Sequence, residues 1–206
     1  MKGNLIIISS PSGGGKGTLI REILKEMPNI GYSVSMTTRQ MREGEIDGKD
    51  YYFVTKDEFL DAIGREEFLE FAEVHGNFYG TSIKQVENQI LSGNDVILEI
   101  DVQGAAIIRK KLPSSVAIFI LPPSFQVLKE RLTARATETE ETLSLRLHNS
   151  YAEVNQFEHF DYVVVNNEIA PAINDLKTII FAERLKRDRQ TDAIQGILDS
   201  FDASKF

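Results

Sequence analysis

The sequence predicts an α/β domain in which a parallel sheet is flanked by helices. Three observations carry this: short runs that are apolar throughout, longer helical patterns between them, and a glycine-rich turn directly after the first run. A strand with one solvated face alternates apolar and polar residues, whereas one buried on both faces does not. The run Leu5-Ile-Ile-Ile-Ser9 is of the second kind. So are Asp95-Val-Ile-Leu-Glu-Ile100, Val116-Ala-Ile-Phe-Ile-Leu121 and Tyr162-Val-Val-Val165. Helical spacing fills the intervals Lys16 to Met27, Gln103 to Leu112, Ser124 to Leu132 and Ile169 to Arg187.

Two stretches break the alternation. From Tyr32 to Thr81 the chain is rich in Thr, Tyr, Phe and Gly, and it is expected to form a small antiparallel excursion. Thr55-Lys-Asp-Glu58 and Ser82-Ile-Lys-Gln85 match capping boxes and mark two helix starts. From Arg131 to His159 the chain is charged and helical with few large apolar residues, which suits a solvent-facing lid. The expected partition is a core of 1–34, 88–125 and 160–206, an inserted subdomain at 35–87 and a lid at 126–159. After Arg189, Ile194, Ile197, Leu198 and Phe201 recur at helical spacing, as in a short helix packing on the body or on a second subunit.

The 206 residues suit one compact domain, and an apolar content of 42% is enough for a core. With no cysteine, disulfides and thiolate chemistry are excluded, which fits a cytoplasmic protein. No segment approaches the roughly 18 unbroken apolar residues of a membrane span. A net charge of −8 argues against a nucleic-acid or anionic-membrane surface. A homo-oligomer is left open.

The turn Ser10-Pro-Ser-Gly-Gly-Gly-Lys-Gly-Thr18 has the spacing of a P-loop, placed between strand and helix as that motif requires. Ser10, Pro11, Ser12, Gly13, Gly14 and Gly15 let the backbone curl so that several N–H groups point at one anion. The helix that follows adds its own unpaired N–H groups, and Lys16 adds a point charge for the β- and γ-phosphates. Ser10 stands where the motif has its first glycine. Gly17 stands where a Ser or Thr hydroxyl usually ligates Mg²⁺. Thr18, one place later, or phosphates and waters alone, are the two ways left to hold that ion.

In the excursion, Arg39 and Arg42 lie three apart and Tyr51 follows; two guanidinium forks and a phenol suit a phosphate monoester. Glu70 precedes a Gly-flanked turn that carries Tyr79 and Thr81. Ser35-Met-Thr-Thr-Arg39-x-x-Arg42, Gly48-Lys-Asp-Tyr51, Phe68-Leu-Glu70, Asn77-Phe-Tyr79-Gly-Thr81, Leu98-Glu-Ile-Asp101-x-Gln-Gly104, Arg131-x3-Arg135 and Val165-Asn166 together resemble the guanylate kinases, from about Asn4 to Leu185. The resemblance implies transfer of a phosphoryl group from ATP to GMP with Mg²⁺. It implies that Arg39, Arg42, Tyr51 and Tyr79 hold the GMP phosphate and that Ser35, Glu70, Thr81 and Asp101 read the guanine. It assigns Arg131, Arg135 and Arg146 to the lid over the ATP phosphates, and Asn166 to the adenine side. Asp101 ends an apolar strand, so a place near Mg²⁺ and a contact to the base both stay open for it.

Two other readings stay open at this stage. Gly17-Thr18 after the lysine resembles adenylate kinases, although the Arg39, Tyr51, Glu70 and Tyr79 set does not. A non-catalytic guanylate-kinase-like interaction module would be expected to lose the lysine or the lid arginines, and Lys16, Arg131, Arg135 and Arg146 are present. His75, His148 and His159 have no ligand spacing and read as structural or surface residues.

Overall fold

The computed structural model describes residues 2–74, 76–134 and 140–201. In chain order the elements are β1 (Leu5–Ser9), α1 (Lys16–Glu26), β2 (Ile30–Tyr32), β3 (Met36–Thr37), β4 (Tyr52–Phe53), α2 (Lys56–Gly64), β5 (Phe68–Val74), β6 (Asn77–Ser82) and α3 (Ile83–Leu91). Then come β7 (Asp95–Glu99), α4 (Val102–Lys111), β8 (Val116–Leu121), α5 (Phe125–Thr133), α6 (Glu140–Val154), β9 (Tyr162–Val165), α7 (Ile169–Arg184) and α8 (Thr191–Ser200).

The main sheet has the order β2-β7-β1-β8-β9, and every pair in it is parallel. Its strands are apolar throughout because both faces are covered. Ile6 and Ile8 pack with Leu19, Ile20 and Ile23 of α1 and with Leu176 and Ile180 of α7. Leu5 and Ile7, facing the other way, pack with Val86 of α3 and with Ala105 and Ile108 of α4. Each such side chain contributes roughly 1.5–3 kcal/mol when fully buried, so this central row is the main anchor of the body. At one end of the sheet, Asp95 is buried. Its Oδ1 accepts from the backbone N–H (2.6 Å) and side-chain amide (3.0 Å) of Asn4, and its Oδ2 accepts from Arg184 Nε (2.6 Å).

The three-residue strand β2 is not among the runs the sequence marks. Ile30-Gly31-Tyr32 is too short to show a period, and it joins the sheet through its pairing with β7. The excursion forms its own sheet, β4-β3-β6-β5, and here the antiparallel expectation needs correction. Pairs β3–β6 and β5–β6 are antiparallel, but β3 and β4 run parallel. A hairpin turn would reverse the chain; instead residues 38–51 carry it back to its starting end before β4 begins. A small aromatic core holds this sheet to α2: Phe59 stacks on Phe68 at 4.6 Å and on Phe78 at 5.4 Å between ring centres.

At Thr55 the capping box forms in full, with the hydroxyl accepting from Glu58 N–H and the Glu58 carboxylate accepting from Thr55 N–H. Thr55→Ala is expected to cost about 1 kcal/mol of stability, read as a lower midpoint in denaturant unfolding. The second match differs. Helix α3 starts after Ser82, but the Ser82 side chain makes no cap bond. Strand β6 runs straight into the helix there, and the first helical N–H, that of Ile83, is bonded to Glu67 O at 2.9 Å.

Helix α5 is less solvent-facing than its charge suggests, since Leu128 and Leu132 are buried. The tail does form a helix, α8, but Ile194, Ile197, Leu198 and Phe201 are all exposed, so packing of that face on the body is not what the described residues show. Among the described residues, no helix is long and apolar enough to cross a membrane.

Candidate active site

The glycine-rich loop leaves the carboxyl end of β1 and enters α1. Gly13 and Gly15 have φ of 84° and 88°, a backbone region that only glycine occupies without strain. Gly15 is the N-cap of α1, with no side-chain capping bond and no acidic residue in the first turn. The first N–H groups of the helix are therefore not taken by a side-chain cap, and the positive dipole end is not offset: an anion cradle. The loop is braced from outside. Asn166 Nδ2 donates to Gly14 O at 3.0 Å, and Arg131 Nη2 donates to Asn166 O at 2.9 Å. Ser12 N–H donates to Glu153 Oε2 of α6 at 2.8 Å, and Ser150 Oγ donates to Ser12 O at 3.3 Å. Ser10 is buried and its hydroxyl donates to Pro11 O.

Lys16 Nζ stands 3.6 Å from Glu99 Oε1. The register explains this: β7 lies beside β1, and Glu99 pairs with Ile8 just before the loop. Gly17 lies beside it, and a Cβ there would make ordinary contact with Glu99 Oε1 at 3.4 Å. Tyr32 OH donates to Glu99 Oε2 at 3.4 Å; burial, and then this carboxylate, push the phenol pKa well up. Glu99 is a site residue that sequence reasoning did not single out. Two acids end the same apolar run, and Asp101 alone drew notice. Asp101 caps α4, accepting from Gly104 N–H at 2.8 Å. Thr18 Oγ1 accepts from Arg21 Nη2 at 3.3 Å.

A cavity of about 800 Å³ joins the loop to the excursion. Residues 10–18, Arg146, Tyr32, Glu99, Glu45 and Tyr51 all line it. On the excursion side, the Arg39 guanidinium lies over the Tyr51 ring at 5.3 Å, and the Tyr51 and Tyr79 rings meet edge-on at 5.9 Å. Burial, and then the neighbouring Tyr79, raise the Tyr51 pKa. Arg39 Nη2 donates to Glu45 Oε1 at 2.7 Å. Arg42 is exposed beside this cluster, and Ser35 O accepts from Tyr52 N–H.

A second cluster surrounds Glu70, which is buried and receives the Thr81 hydroxyl on Oε1 at 2.6 Å. Its other oxygen is kept uncrowded by Gly104, where a Cβ would come within 3.2 Å. Burial pushes the Glu70 pKa up; the Thr81 hydrogen bond opposes this, the Asp101 charge adds to it, and Lys111 opposes it. Tyr79 and Thr81 are two apart on β6 and so share one face, which aligns the arginine–tyrosine cluster with the Glu70 cluster. The structure thus gathers residues 10–18, Arg146 and Tyr51 around one cavity, Arg39 with Tyr51 and Tyr79, and Glu70 with Thr81 and Asp101. It places Arg131 and Asn166 behind the loop. Arg135 and His75 lie outside the described residues. Among the described residues, no group of three or more His, Cys, Asp or Glu is arranged to hold a metal.

Comparison with known proteins gives a consistent result. A model of the guanylate kinase family matches residues 2–183. A guanylate kinase of Neisseria meningitidis serogroup A is 50% identical over 199 residues, covering 97% of each chain. One from Clostridium tetani is 48% identical over 193 residues, covering 94% of this chain and 92% of that one. The crystal structure of guanylate kinase from Anaplasma phagocytophilum superposes with a TM-score of 0.74 at 38% identity, covering 91% of this chain and 89% of that one. With a parallel sheet, a glycine-rich loop at its carboxyl edge and a match along nearly its whole length, the chain belongs to the guanylate kinase family.

Proposed function

We propose that this protein transfers the γ-phosphoryl group of ATP to GMP, giving ADP and GDP. The observation that carries the reading is the Glu70 cluster on the same sheet face as the Arg39, Tyr51 and Tyr79 cluster. Guanine presents N1–H and N2–H₂ donors side by side, which one carboxylate can accept together; adenine presents a bare N1 there. In this reading Glu70 accepts from the base, with Thr81, Ser35 and Asp101 completing the contact. Arg39, Arg42, Tyr51 and Tyr79 hold the phosphate. The acceptor phosphate is already nucleophilic at neutral pH, so the protein's task is alignment and charge compensation rather than proton removal. Lys16 and the N–H groups of the loop hold the donor phosphates, and Arg131, Arg135 and Arg146 stabilise charge on the transferring group.

The residues suit Mg²⁺ held mainly by phosphates and waters, as that ion is usually bound, with the Glu99 carboxylate and the Thr18 hydroxyl among the oxygen groups that line the cavity. When bound, the ion would neutralise charge on the donor phosphates. In this reading the chain divides into a core of 1–34, 88–125 and 160–206, an acceptor subdomain of 35–87 and a lid of 126–159. The net charge of −8 suits a cytoplasmic enzyme of free nucleotides better than one held on nucleic acid or an anionic membrane.

A coupled assay of ADP release, with Mg·ATP and GMP, dGMP, AMP, CMP or UMP offered separately, tests this. Turnover is expected with GMP, or with GMP and dGMP, at about 10⁴ times the kcat/KM of AMP. Comparable turnover with AMP would overturn the role given to Glu70.

A further inference from the structure

The aim of Glu70 depends on an irregularity in its strand. Successive side chains of a regular strand point to opposite faces, so Phe68 and Glu70 would share one face, and Leu69 and Phe71 the other. The structure divides them differently. Phe68 stacks on Phe59 of α2, and the Phe71 ring centre lies 6.2 Å from that of Phe68. Leu69 packs on the opposite side, with Ala105 and Ile108 of α4. Glu70 also turns to α4, its Oε2 lying 3.2 Å from where a Cβ on Gly104 would stand. The cause is a β-bulge. Phe68 pairs with Ser82 and Glu70 with Thr81, neighbours on β6, so Leu69 is the extra residue and has no partner in the register. A regular strand would carry the carboxylate to the Phe59 side, because a slip of one residue moves every later side chain to the other face.

A residue of α4 holds this bulge. Lys111, in the last turn of the helix, donates from Nζ to Leu69 O at 2.5 Å. That carbonyl belongs to the peptide joining the extra residue to Glu70. A lysine at the end of a helix ordinarily serves the helix dipole. This one reaches a backbone group 42 positions back along the chain. Gly104, Ile108 and Lys111 follow at i, i+4 and i+7, so the face of α4 that makes room for the carboxylate also carries the ammonium. Burial raises the Glu70 pKa, and the Lys111 charge opposes that rise. The Thr81 hydroxyl, at 2.6 Å from Oε1, fixes the end of the Glu70 side chain; Lys111 fixes the backbone from which it starts.

We infer that Lys111 is a positioning residue for the acceptor base, clamping the bulge at Leu69 and so fixing the direction in which Glu70 faces the nucleotide. This rests on the reading of Glu70 as the guanine ligand. With the clamp in place the carboxylate is aimed before the base arrives, so its ordering is not part of the binding step. Lys111 acts through Leu69 O and needs no contact with the substrate. Its side chain is exposed, so removing the ammonium opens no cavity in the core.

The test is Lys111→Met, which keeps an unbranched stem and removes the ammonium, with Glu70→Gln and the double variant in parallel. Lys111→Met is expected to raise the KM for GMP, and the GMP dissociation constant measured by calorimetry without ATP, by about tenfold, as for the loss of one charge-assisted hydrogen bond. Its kcat at saturating GMP should stay within about twofold and its KM for ATP should not move, a split that marks lost ground-state binding. The double variant should match the kcat/KM of Glu70→Gln within about twofold, because Lys111 acts through Glu70. An unchanged or lowered GMP KM in Lys111→Met, with Glu70→Gln impaired, overturns the inference alone. A kcat/KM for GMP untouched by Glu70→Gln overturns the reading of Glu70 and the inference with it. The full penalty of Lys111→Met persisting in the double variant separates the two residues and also overturns it. So does a fall in melting temperature with both KM values raised, the mark of a merely structural role.

Discussion

Lys16→Ala is expected to lower kcat by on the order of 10²–10³ while leaving the fold intact. Removing one donor aimed at developing charge costs this much in other enzymes, because the group acts where water is excluded and reorganises little. The environment of Lys16 adds to the effect. Glu99 sits 3.6 Å away, so deletion of the ammonium leaves a carboxylate facing the cradle without its counter-charge, and it then repels the incoming phosphates. Stability should move little, since the two side chains are 25% and 27% accessible and such a pair is screened by solvent. Steady-state turnover with Mg·ATP and GMP, beside a thermal melt, checks both halves. Near-normal turnover would remove Lys16 from the donor site.

Glu70→Gln is expected to divide function from stability. The amide keeps the shape but presents an N–H₂ toward guanine donors, so one hydrogen bond becomes a clash of like groups. A loss of on the order of 10²-fold in kcat/KM for GMP is expected, in line with about 1–3 kcal/mol for an unsatisfied buried group. The nucleotide-free protein should respond in the opposite sense. Burial raises the Glu70 pKa above that of the unfolded chain, so the native state holds its proton more tightly. Glu70 therefore favours the folded state fully only below the ordinary carboxylate pKa, and this contribution is lost as pH rises through the raised value. Melting temperatures should accordingly show Glu70→Gln equal to or above the parent at pH 8, with its advantage shrinking toward pH 4. If Glu70 takes the guanine donors as proposed, GMP binding should weaken as pH falls through the same window. A variant less stable than the parent at every pH would show that Glu70 is held for structure instead.

What could be read from the chain follows the reach of each feature. The cradle is contiguous, so its glycines, lysine and flanking strand and helix are visible together, and the structure places them as expected. Strands buried on both faces announce themselves by unbroken β-branched runs. Features that depend on distant segments do not. Glu99 is set beside Lys16 only by the pairing of β7 with β1, 83 positions apart in the chain. The parallel β3–β4 pair depends on how residues 38–51 cross back, and no local pattern encodes that. Glu45 was hidden for another reason. An acid in a Gly-flanked, charged stretch looks solvated, and only the folded turn reveals that both its oxygens are taken.

The Asp95 network at the opposite end of the sheet bears on how the molecule comes apart. Its three members sit at the start, the middle and the far end of the chain, on β1's approach, on β7 and on the last turn of α7. Peeling α7 away would strand a carboxylate that is almost wholly shielded from water, and loosening the amino terminus would remove the amide donors that share it. Neither edge can fray at small cost while the centre stays native. Unfolding of the parallel sheet is thus cooperative across the whole length of the chain, and slow amide exchange in β1 and β7 should report the global opening rather than a local one.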